Sequence, residues 1–203
     1  MVCTLIFSTV AATTTTPFAN SLTPQSWILR PSRKTSLSIV SGATVLKIRT
    51  QVQALPPGIA DLPIELPGPD ESMVEPANHA GSPFTKCISM RAARGRFGMV
   101  GPGAIWFRVD RPLIEGSPVS QVMRAVVAAD FSNGTSSVLD FRQWTFINAD
   151  LSVNFARQPV GEWVLVDGEC WVGPDGAGLA MSRLADEHGY FGRAVQSLVI
   201  EKR

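Results

Sequence analysis

The sequence predicts an α+β fold in which a curved antiparallel sheet wraps around one apolar helix. Three observations predict it: a strand pattern over residues 104–110, a nearly apolar helix pattern over 119–131, and four consecutive strand patterns after residue 143. A helix that is apolar almost all round has to be enclosed by other elements. Consecutive strands joined by short glycine-containing turns form the antiparallel sheet that encloses it.

A start signal, a stop signal and apolar spacing together predict the helix. Ser117 and Pro118 are typical of an N-cap followed by proline at the first helical position, and Asn133-Gly134 is typical of a left-handed C-cap. Between these signals, apolar residues recur at i, i+3, i+4 and i+7, and alanines broaden the apolar face. The recurring residues are Val119, Val122, Met123, Val126 and Val127.

Four strands are expected after the helix, with turns at 173–176 and 186–189 between the later ones. They cover residues 143–155, 162–172, 179–185 and 193–200. Successive side chains of a strand point to opposite faces. Asn148 and Asp150 are therefore predicted to share one face of the first of these strands.

A long amino-terminal region precedes the predicted domain. We expect an unreliable or disordered segment over 1–42, a short strand over 43–54, a linker rich in proline and glycine over 55–85, and the α+β domain over 86–203. Residues 1–60 contain no Asp or Glu. Two interpretations stay open for the opening segment: a Ser/Thr-rich, acid-free transit peptide for an organelle, or a misassigned start of the reading frame.

Composition excludes several classes of function. The 203 residues carry a net charge of +1 without a basic patch, so no nucleic-acid partner is expected. The three cysteines are far apart and lack a CxxC spacing, which argues against disulfides and a zinc site. The two histidines, His79 and His188, both lie in turn-like contexts, which argues against a Ser-His-Asp catalytic site. No cofactor is expected, no opening apolar run is long enough to cross a membrane, and the cytoplasm is the expected location.

Three polar residues lie inside segments that are otherwise apolar: Asp130, Asn148 and Gln196. Burying such groups without hydrogen-bond partners is costly, so each has either a structural partner or a function. Asp130 follows Val126 and Val127 by four and three residues, which places it on the apolar helix face, in the last turn. The helix dipole disfavours a carboxylate there, and burial would raise its pKa, as suits a general base or a water-orienting group. Fraying of the helix end, which would turn Asp130 to solvent, is the alternative.

Three segments resemble a known family. Residues 128–134, 146–163 and 192–200 are similar, in this order, to the C-terminal half of double-hotdog acyl-CoA thioesterases of the bacterial acyl-CoA thioesterase II-like superfamily. The resemblance implies the hotdog fold, in which a curved sheet encloses one helix. It also implies hydrolysis of a fatty acyl-CoA to the free acid and CoA, an apolar groove for the acyl chain beside the helix, and homo-oligomers assembled through hotdog units.

The same resemblance implies a catalytic set that orients a water molecule toward the thioester carbonyl. In the family this set is an Asp at the end of the helix, a hydroxyl residue on the next long strand and a Gln on the final strand. On this sequence the set falls on Asp130, Asn148 and Gln196. Asn148 stands where the better-known members carry Thr or Ser, so their rate and substrate do not carry over.

The family's usual chain has a complete first hotdog before this one. Residues 43–54 resemble only the closing strand of that unit, and residues 1–42 contain no counterpart of its other elements, which favours a misassigned or truncated start. Because the active site normally forms where two hotdog units meet, a second interpretation is a non-catalytic hotdog that binds acyl thioesters or assembles with a partner. A homodimer would restore the interface. A dehydratase or hydratase is a third interpretation, but those enzymes place a histidine in the site, and His188 lies in a turn.

Overall fold

Residues 62–76 and 83–203 are described by the computed structural model, together with the backbone of three earlier strands. These strands are β1 (Cys3–Ala12), β2 (Trp27–Ile28) and β3 (Ser38–Lys47). β3 overlaps the strand expected from residue 43, and β1 pairs both with β3 and with a strand of the main domain. The expected boundaries after residues 42, 54 and 85 stay predictions.

The described strands form one antiparallel sheet of eleven. The remaining members are β4 (Met73–Val74), β5 (Ile88–Arg94), β6 (Gly103–Val109), β7 (Trp144–Asn148), β8 (Asp150–Phe155), β9 (Trp163–Val172), β10 (Gly178–Asp186) and β11 (Gly189–Lys202). Their order across the sheet is β2-β3-β1-β8-β11-β10-β9-β6-β5-β4, and β7 pairs with the carboxyl end of β11. The strands predicted over 104–110, 162–172, 179–185 and 193–200 are thereby confirmed.

The central helix begins later than predicted. Helix α1 spans Gln121–Asp130, and its N-cap is Ser120, whose hydroxyl accepts a hydrogen bond from the Met123 N–H at 3.2 Å. The prediction that Ser117 is the cap was wrong. Ser120 has the extended backbone of an N-cap (φ −71°, ψ 157°) and lies three residues before a free helical N–H, which is the geometry that a capping hydroxyl needs.

The helix also ends differently from the prediction. A single residue, Phe131, separates α1 from a one-turn helix, α2 (Ser132–Thr135), which contains the predicted cap residue Gly134. Gly134 is not among the glycines with positive φ, so it is not a left-handed cap. It serves close packing instead, because a Cβ at this position would come within 2.6 Å of the Phe97 ring. In the part of the chain that the structure describes, neither helix combines the length and apolar character needed to cross a bilayer.

The side of the sheet that faces α1 carries the main core, so the predicted enclosure of the helix is confirmed. Ala125, Ala128 and Ala129 are buried on the helix face. They belong to one cluster with side chains from β5, β6 and β8 to β11, and Val126 and Val127 pack at its edge. The sheet contributes Ile88, Met90, Ala92, Ile105, Phe107, Val109, Leu151, Val153, Phe155, Val164, Val166, Leu184, Phe191 and Ala194.

The strand predicted over 143–155 is divided into β7 and β8 at Ala149. Residues 149–151 face only residues 196–197 of β11, so this strand pair contains one extra residue. Such an insertion is a β-bulge, and a one-residue shift exchanges the faces of all later side chains. Phe146 before the bulge and Leu151 after it are consequently both buried, although regular alternation would place them on opposite faces.

The described part of the predicted linker packs on the other side of the sheet. Trp106 lies in a second buried cluster on that side, and its indole N–H donates to the main-chain oxygen of Pro67 at 2.9 Å. The main chain of Leu62 accepts a hydrogen bond from the Tyr190 N–H at 2.9 Å. Residues 62–69 therefore cover this second cluster, which comprises Ala104, Trp106, Trp163, Leu165 and Ala185, with Ile64, Leu66, Ala93 and Tyr190 packed against it.

Candidate active site

The three predicted site residues meet at the end of α1. Asp130 is the last residue of the helix, Asn148 ends β7, and Gln196 lies in the middle of β11. The Asn148 side-chain amide donates to Asp130 Oδ1 at 2.8 Å, and Gln196 Nε2 donates to the main-chain oxygen of Asp130 at 3.1 Å. Residues far apart in the sequence thus contact the same helix end, while their catalytic roles stay predictions.

The β-bulge turns Asn148 toward the helix. Asn148 follows Phe146 by two residues and shares its inward face, whereas the extra residue of the bulge turns Asp150 the other way. The Asp150 carboxylate accepts hydrogen bonds from the Ser197 main-chain N–H at 2.7 Å and from its hydroxyl at 3.0 Å. The prediction that Asn148 and Asp150 share a face was therefore wrong, because simple alternation fails across a bulge.

Gln196 is fully buried and both of its polar atoms bond to the main chain. In addition to its bond to Asp130, its Oε1 accepts from the Asn133 N–H at 3.2 Å. These main-chain groups lie on either side of Phe131, where the break between α1 and α2 leaves helical donors and acceptors without helical partners. The Gln196 amide therefore joins the two helices and fixes the position of Asp130.

Asp130 presents much of its surface to solvent, yet its side chain lines a cleft in which protein atoms replace part of its hydration. This burial raises the pKa of the Asp130 carboxyl above its ordinary value, and the hydrogen bond from Asn148 opposes the rise. The direction agrees with a cleft whose other walls are mostly apolar, since a carboxylate loses hydration there. The expected rise in pKa is present, although the residue is more exposed than expected.

The cleft beside Asp130 has a volume of about 440 Å³. Val126, Val127 and Leu151 supply its apolar lining, Asp130 and Asn148 supply polar side chains, and Asp150 borders it while its carboxylate is bonded to Ser197. Phe84 closes one side, with its ring stacked on Phe131 at a centroid distance of 6.3 Å and an interplanar angle of 5°. The full lining is Phe84, Val126, Val127, Asp130, Asn148, Ala149, Asp150 and Leu151.

Phe84 is the lining residue that sequence reasoning missed. It lies inside the predicted linker 55–85, immediately before a single 3-10 turn at Thr85–Cys87. Its side chain is 46% exposed, although its ring stacks on Phe131, which packs against the main core. No periodicity surrounds Phe84 in the sequence, so only its contact with Phe131 assigns it to the cleft.

A larger cavity, of about 800 Å³, lies between residues 62–66 and strands β8, β10 and β11. Its lining includes Arg94, Arg183 and Arg193 but none of the three predicted site residues. The cleft beside Asp130 is the better candidate of the two because it combines a carboxylate of raised pKa with a directly bonded amide and an apolar wall.

Histidine and metal chemistry have few supporting groups within the described residues. His188 is exposed in the turn between β10 and β11, and His79 lies outside the described residues. Across 62–76 and 83–203, no three His, Cys, Asp or Glu side chains are close enough together to hold a metal ion. Cys87 and Cys170 are free thiols, and burial raises the pKa of the Cys170 thiol, which disfavours its reactive form.

Comparison with known proteins assigns most of the described chain to a family. Residues 63–200 match the family described as acyl-CoA thioesterase C-terminal domain. No curated protein matches the sequence.

Several solved structures share the fold. A protein of unknown function with a hot dog fold from Alicyclobacillus acidocaldarius has a TM-score of 0.63 and 12% identity, covering 98% of this chain and 78% of that one. Acyl-CoA thioesterase II TesB2 from Mycobacterium marinum has a TM-score of 0.52 and 14% identity, covering 100% and 81%. The tesB protein of Mycobacterium avium subspecies paratuberculosis has a TM-score of 0.55 and 14% identity, covering 98% and 78%. At these identities the likeness shows the fold, and the predicted hotdog fold is confirmed.

Proposed function

The chain belongs to the family of acyl-CoA thioesterase C-terminal domains, and from this membership we propose that it hydrolyses a fatty acyl-CoA to the free acid and CoA. The acyl chain lies against the apolar wall formed by Val126, Val127 and Leu151, with the thioester carbonyl beside Asp130. The observation that carries the proposal is the hydrogen bond from Asn148 to the Asp130 carboxylate at the polar end of an apolar cleft.

In this mechanism Asp130 acts as the base that orients and deprotonates a water molecule. The water oxygen forms a bond to the thioester carbonyl carbon while its proton moves to the Asp130 carboxylate. The carbon–sulfur bond then breaks, and the departing CoA thiolate takes the proton back from the Asp130 carboxyl, which regenerates the carboxylate and leaves the second water proton on the free acid. A carboxyl with a raised pKa suits this role, because its pKa lies closer to the working pH than the pKa of an ordinary aspartate does.

Asn148 and Gln196 support Asp130 in different ways. One N–H of the Asn148 amide holds Asp130 Oδ1, and the amide keeps a second N–H and an oxygen for water or the thioester carbonyl. Gln196 completes the proposed set and acts through the main chain, because its hydrogen bonds hold the end of α1, and with it Asp130, in place. An amide at residue 148 thus replaces the hydroxyl of the better-known family members as a hydrogen-bonding group.

A thiol-release assay with acyl-CoA substrates of several chain lengths tests the proposal. Asp130→Asn keeps the size of the side chain and an acceptor for Asn148 but removes the base, so we expect kcat to fall by about 100-fold or more. Asp175→Asn changes an exposed acid in the turn between β9 and β10 and is the matched control. Absence of hydrolysis by the wild type, or full activity in Asp130→Asn, contradicts the proposal.

A specific observation favours a second candidate, a hotdog module that binds acyl thioesters without hydrolysing them. Both polar atoms of Gln196 are engaged with the main chain, so this side chain is less available to a water molecule than the Gln of the family's catalytic set would be. Calorimetric titration with a non-hydrolysable acyl-CoA thioether separates the two. Binding of the thioether by a wild-type protein that releases no thiol supports the module.

Assembly through hotdog units is part of the same proposal. A homodimer would supply the second unit at which family active sites form, and the mass of the purified protein in light scattering tests it. A monomer that hydrolyses acyl-CoA contradicts the need for a partner. Location in the cytoplasm stays a prediction.

A further inference from the structure

The β-bulge at Ala149 decides whether Asn148 faces Asp130. Asn148 pairs with Leu198 and Ser152 pairs with Val195, so the span from 148 to 152 contains one residue more than the span from 195 to 198. Without the extra residue, Asn148 would lie on the opposite face from Leu151 and Val153, which are buried beside α1. The contact between Asn148 and Asp130 therefore depends on the bulge.

A bulge leaves part of the ladder between two strands unpaired, and here a side chain replaces the missing acceptor. The Ala149 N–H donates to the Ser197 main-chain oxygen at 2.8 Å. The Ser197 N–H donates at 2.7 Å to the Asp150 carboxylate, which also accepts the Ser197 hydroxyl at 3.0 Å. A carboxylate accepts hydrogen bonds more strongly than a neutral carbonyl, so Asp150 stabilises the bulged register.

We infer that Asp150 is a positioning residue for the cleft: its carboxylate holds the bulge that turns the Asn148 amide onto Asp130. Asp150 acts through Ser197 and the backbone of Ala149 and does not need to touch a substrate. The inference deepens the proposed function and rests on it for its kinetic consequence only, because the contact between Asn148 and Asp130 exists without substrate.

Loss of the Asp150 carboxylate is expected to free the Asn148 amide and change the titration of Asp130. The hydrogen bond from Asn148 lowers the pKa of the Asp130 carboxyl, so both Asn148→Ala and Asp150→Ala are expected to shift that titration to higher pH. Loss of a nearby negative charge alone would shift it to lower pH, because a carboxylate neighbour disfavours ionisation. The sign of the shift therefore distinguishes repositioning of Asn148 from a simple change of charge.

The experiment is a carbon-13 NMR titration of the Asp130 carboxyl in the full chain, in the wild type and in the variants Asn148→Ala, Asp150→Ala and Asp150→Asn. We expect an upward shift in the two alanine variants. In Asp150→Asn the amide oxygen still accepts the Ser197 N–H and only the charge is lost, so we expect no upward shift, and at most a small downward one. Glu169→Ala removes an exposed acid from β9 and is the control. A downward or absent shift in Asp150→Ala overturns the inference. An Asp130 titration that is the same in Asn148→Ala as in the wild type overturns it too.

Kinetics provide a second and separable readout. If the chain hydrolyses acyl-CoA, Asp150→Ala is expected to lose about 100-fold in kcat through misplacement of Asn148, with Asp150→Asn recovering most of the loss. Equal losses of kcat in Asp150→Ala and Asp150→Asn overturn the inference, because they would indicate that the Asp150 carboxylate itself acts as a base. An inactive wild type with the expected titration shifts contradicts only the proposed function.

Ser197→Ala keeps the test decisive if Asp150→Ala does not fold. This variant removes only the hydroxyl bond, and we expect a smaller upward shift of the Asp130 titration together with faster hydrogen exchange at the Ser197 amide. Unchanged titration and unchanged exchange in Ser197→Ala overturn the inference.

Discussion

Arg157 holds the fully buried carboxylate of Asp186 with both of its terminal nitrogens, at 2.6 and 2.8 Å. The same carboxylate accepts the main-chain N–H groups of Val160 and His188, each at 2.9 Å. This ion pair therefore ties the segment after β8 to the turn between β10 and β11.

Asp186→Ala is expected to destabilise the fold by about 3–5 kcal/mol, because it removes the buried carboxylate that pairs with the Arg157 guanidinium and accepts two main-chain N–H groups. Burial alone would raise the pKa of Asp186, but the bonds from Arg157, Val160 and His188 lower it. A lowered folded-state pKa means that the stabilisation is present above the unfolded value, about 4, and is lost as the pH falls toward the folded value. Urea unfolding of wild type and variant should differ most at neutral pH and progressively less in acid. A constant difference at all pH values contradicts this assignment.

Asp130→Asn is expected to unfold at a higher temperature than the wild type at neutral pH. The raised pKa of Asp130, caused by burial, means that the folded state binds the proton more tightly than the unfolded state. Its stabilising effect is present below the unfolded pKa and is lost as the pH rises through the folded value. The neutral Asn side chain does not ionise, so the variant avoids the loss of stability that the wild type suffers at neutral pH. The difference in melting temperature between variant and wild type, measured by calorimetry, should therefore disappear in acid. A lower melting temperature at neutral pH would show that ionised Asp130 is stabilising.

Gln196→Leu is expected to cost about 1–3 kcal/mol, because it leaves the Asp130 oxygen and the Asn133 N–H without their buried partner. Gln143→Leu changes an exposed glutamine immediately before β7 and is the matched control. Guanidinium unfolding measures both. If the two variants lose the same stability, the Gln196 amide does not join α1 to α2.

Trp106→Phe is expected to loosen the cover formed by residues 62–69, since the phenyl ring cannot donate to Pro67. The lost hydrogen bond costs about 1 kcal/mol, and cleavage by a glutamate-specific protease after Glu65 and Glu71 should become faster. Trp171→Phe, at a tryptophan that is 62% exposed, should leave the cleavage rate unchanged. Equal rates in wild type and Trp106→Phe would mean that the indole bond does not hold the segment.

The sequence was sufficient to predict the elements that repeat regularly and the polar residues that interrupt them. Helix α1, strands β6 and β9 to β11, and the enclosure of the helix follow from periodicity and turn residues. Asp130, Asn148 and Gln196 stood out because each is a polar group in an apolar segment, and the structure brings them together.

Details that depend on one residue or on distant contacts were not predictable. Ser117 and Ser120 both satisfy the rule for an N-cap, and only the backbone geometry selects Ser120. The bulge at Ala149 is invisible to alternation, because inward-facing residues on each side of it fit a regular pattern separately. The contacts of Phe84 and of residues 62–69 lie far away in sequence, where local patterns carry no information.

The cover over the second cluster also constrains the order in which the domain is completed. Leu62 is made long before Tyr190, yet their main chains are bonded to each other in the finished protein. During synthesis from the amino end, residues 62–69 therefore wait without their final contact until β11 has been added. Until then the side chains around Trp106 are not fully covered by residues 62–69. Because this contact joins distant parts of the chain and forms late, we expect folding to be slow at this stage and aggregation to compete with it.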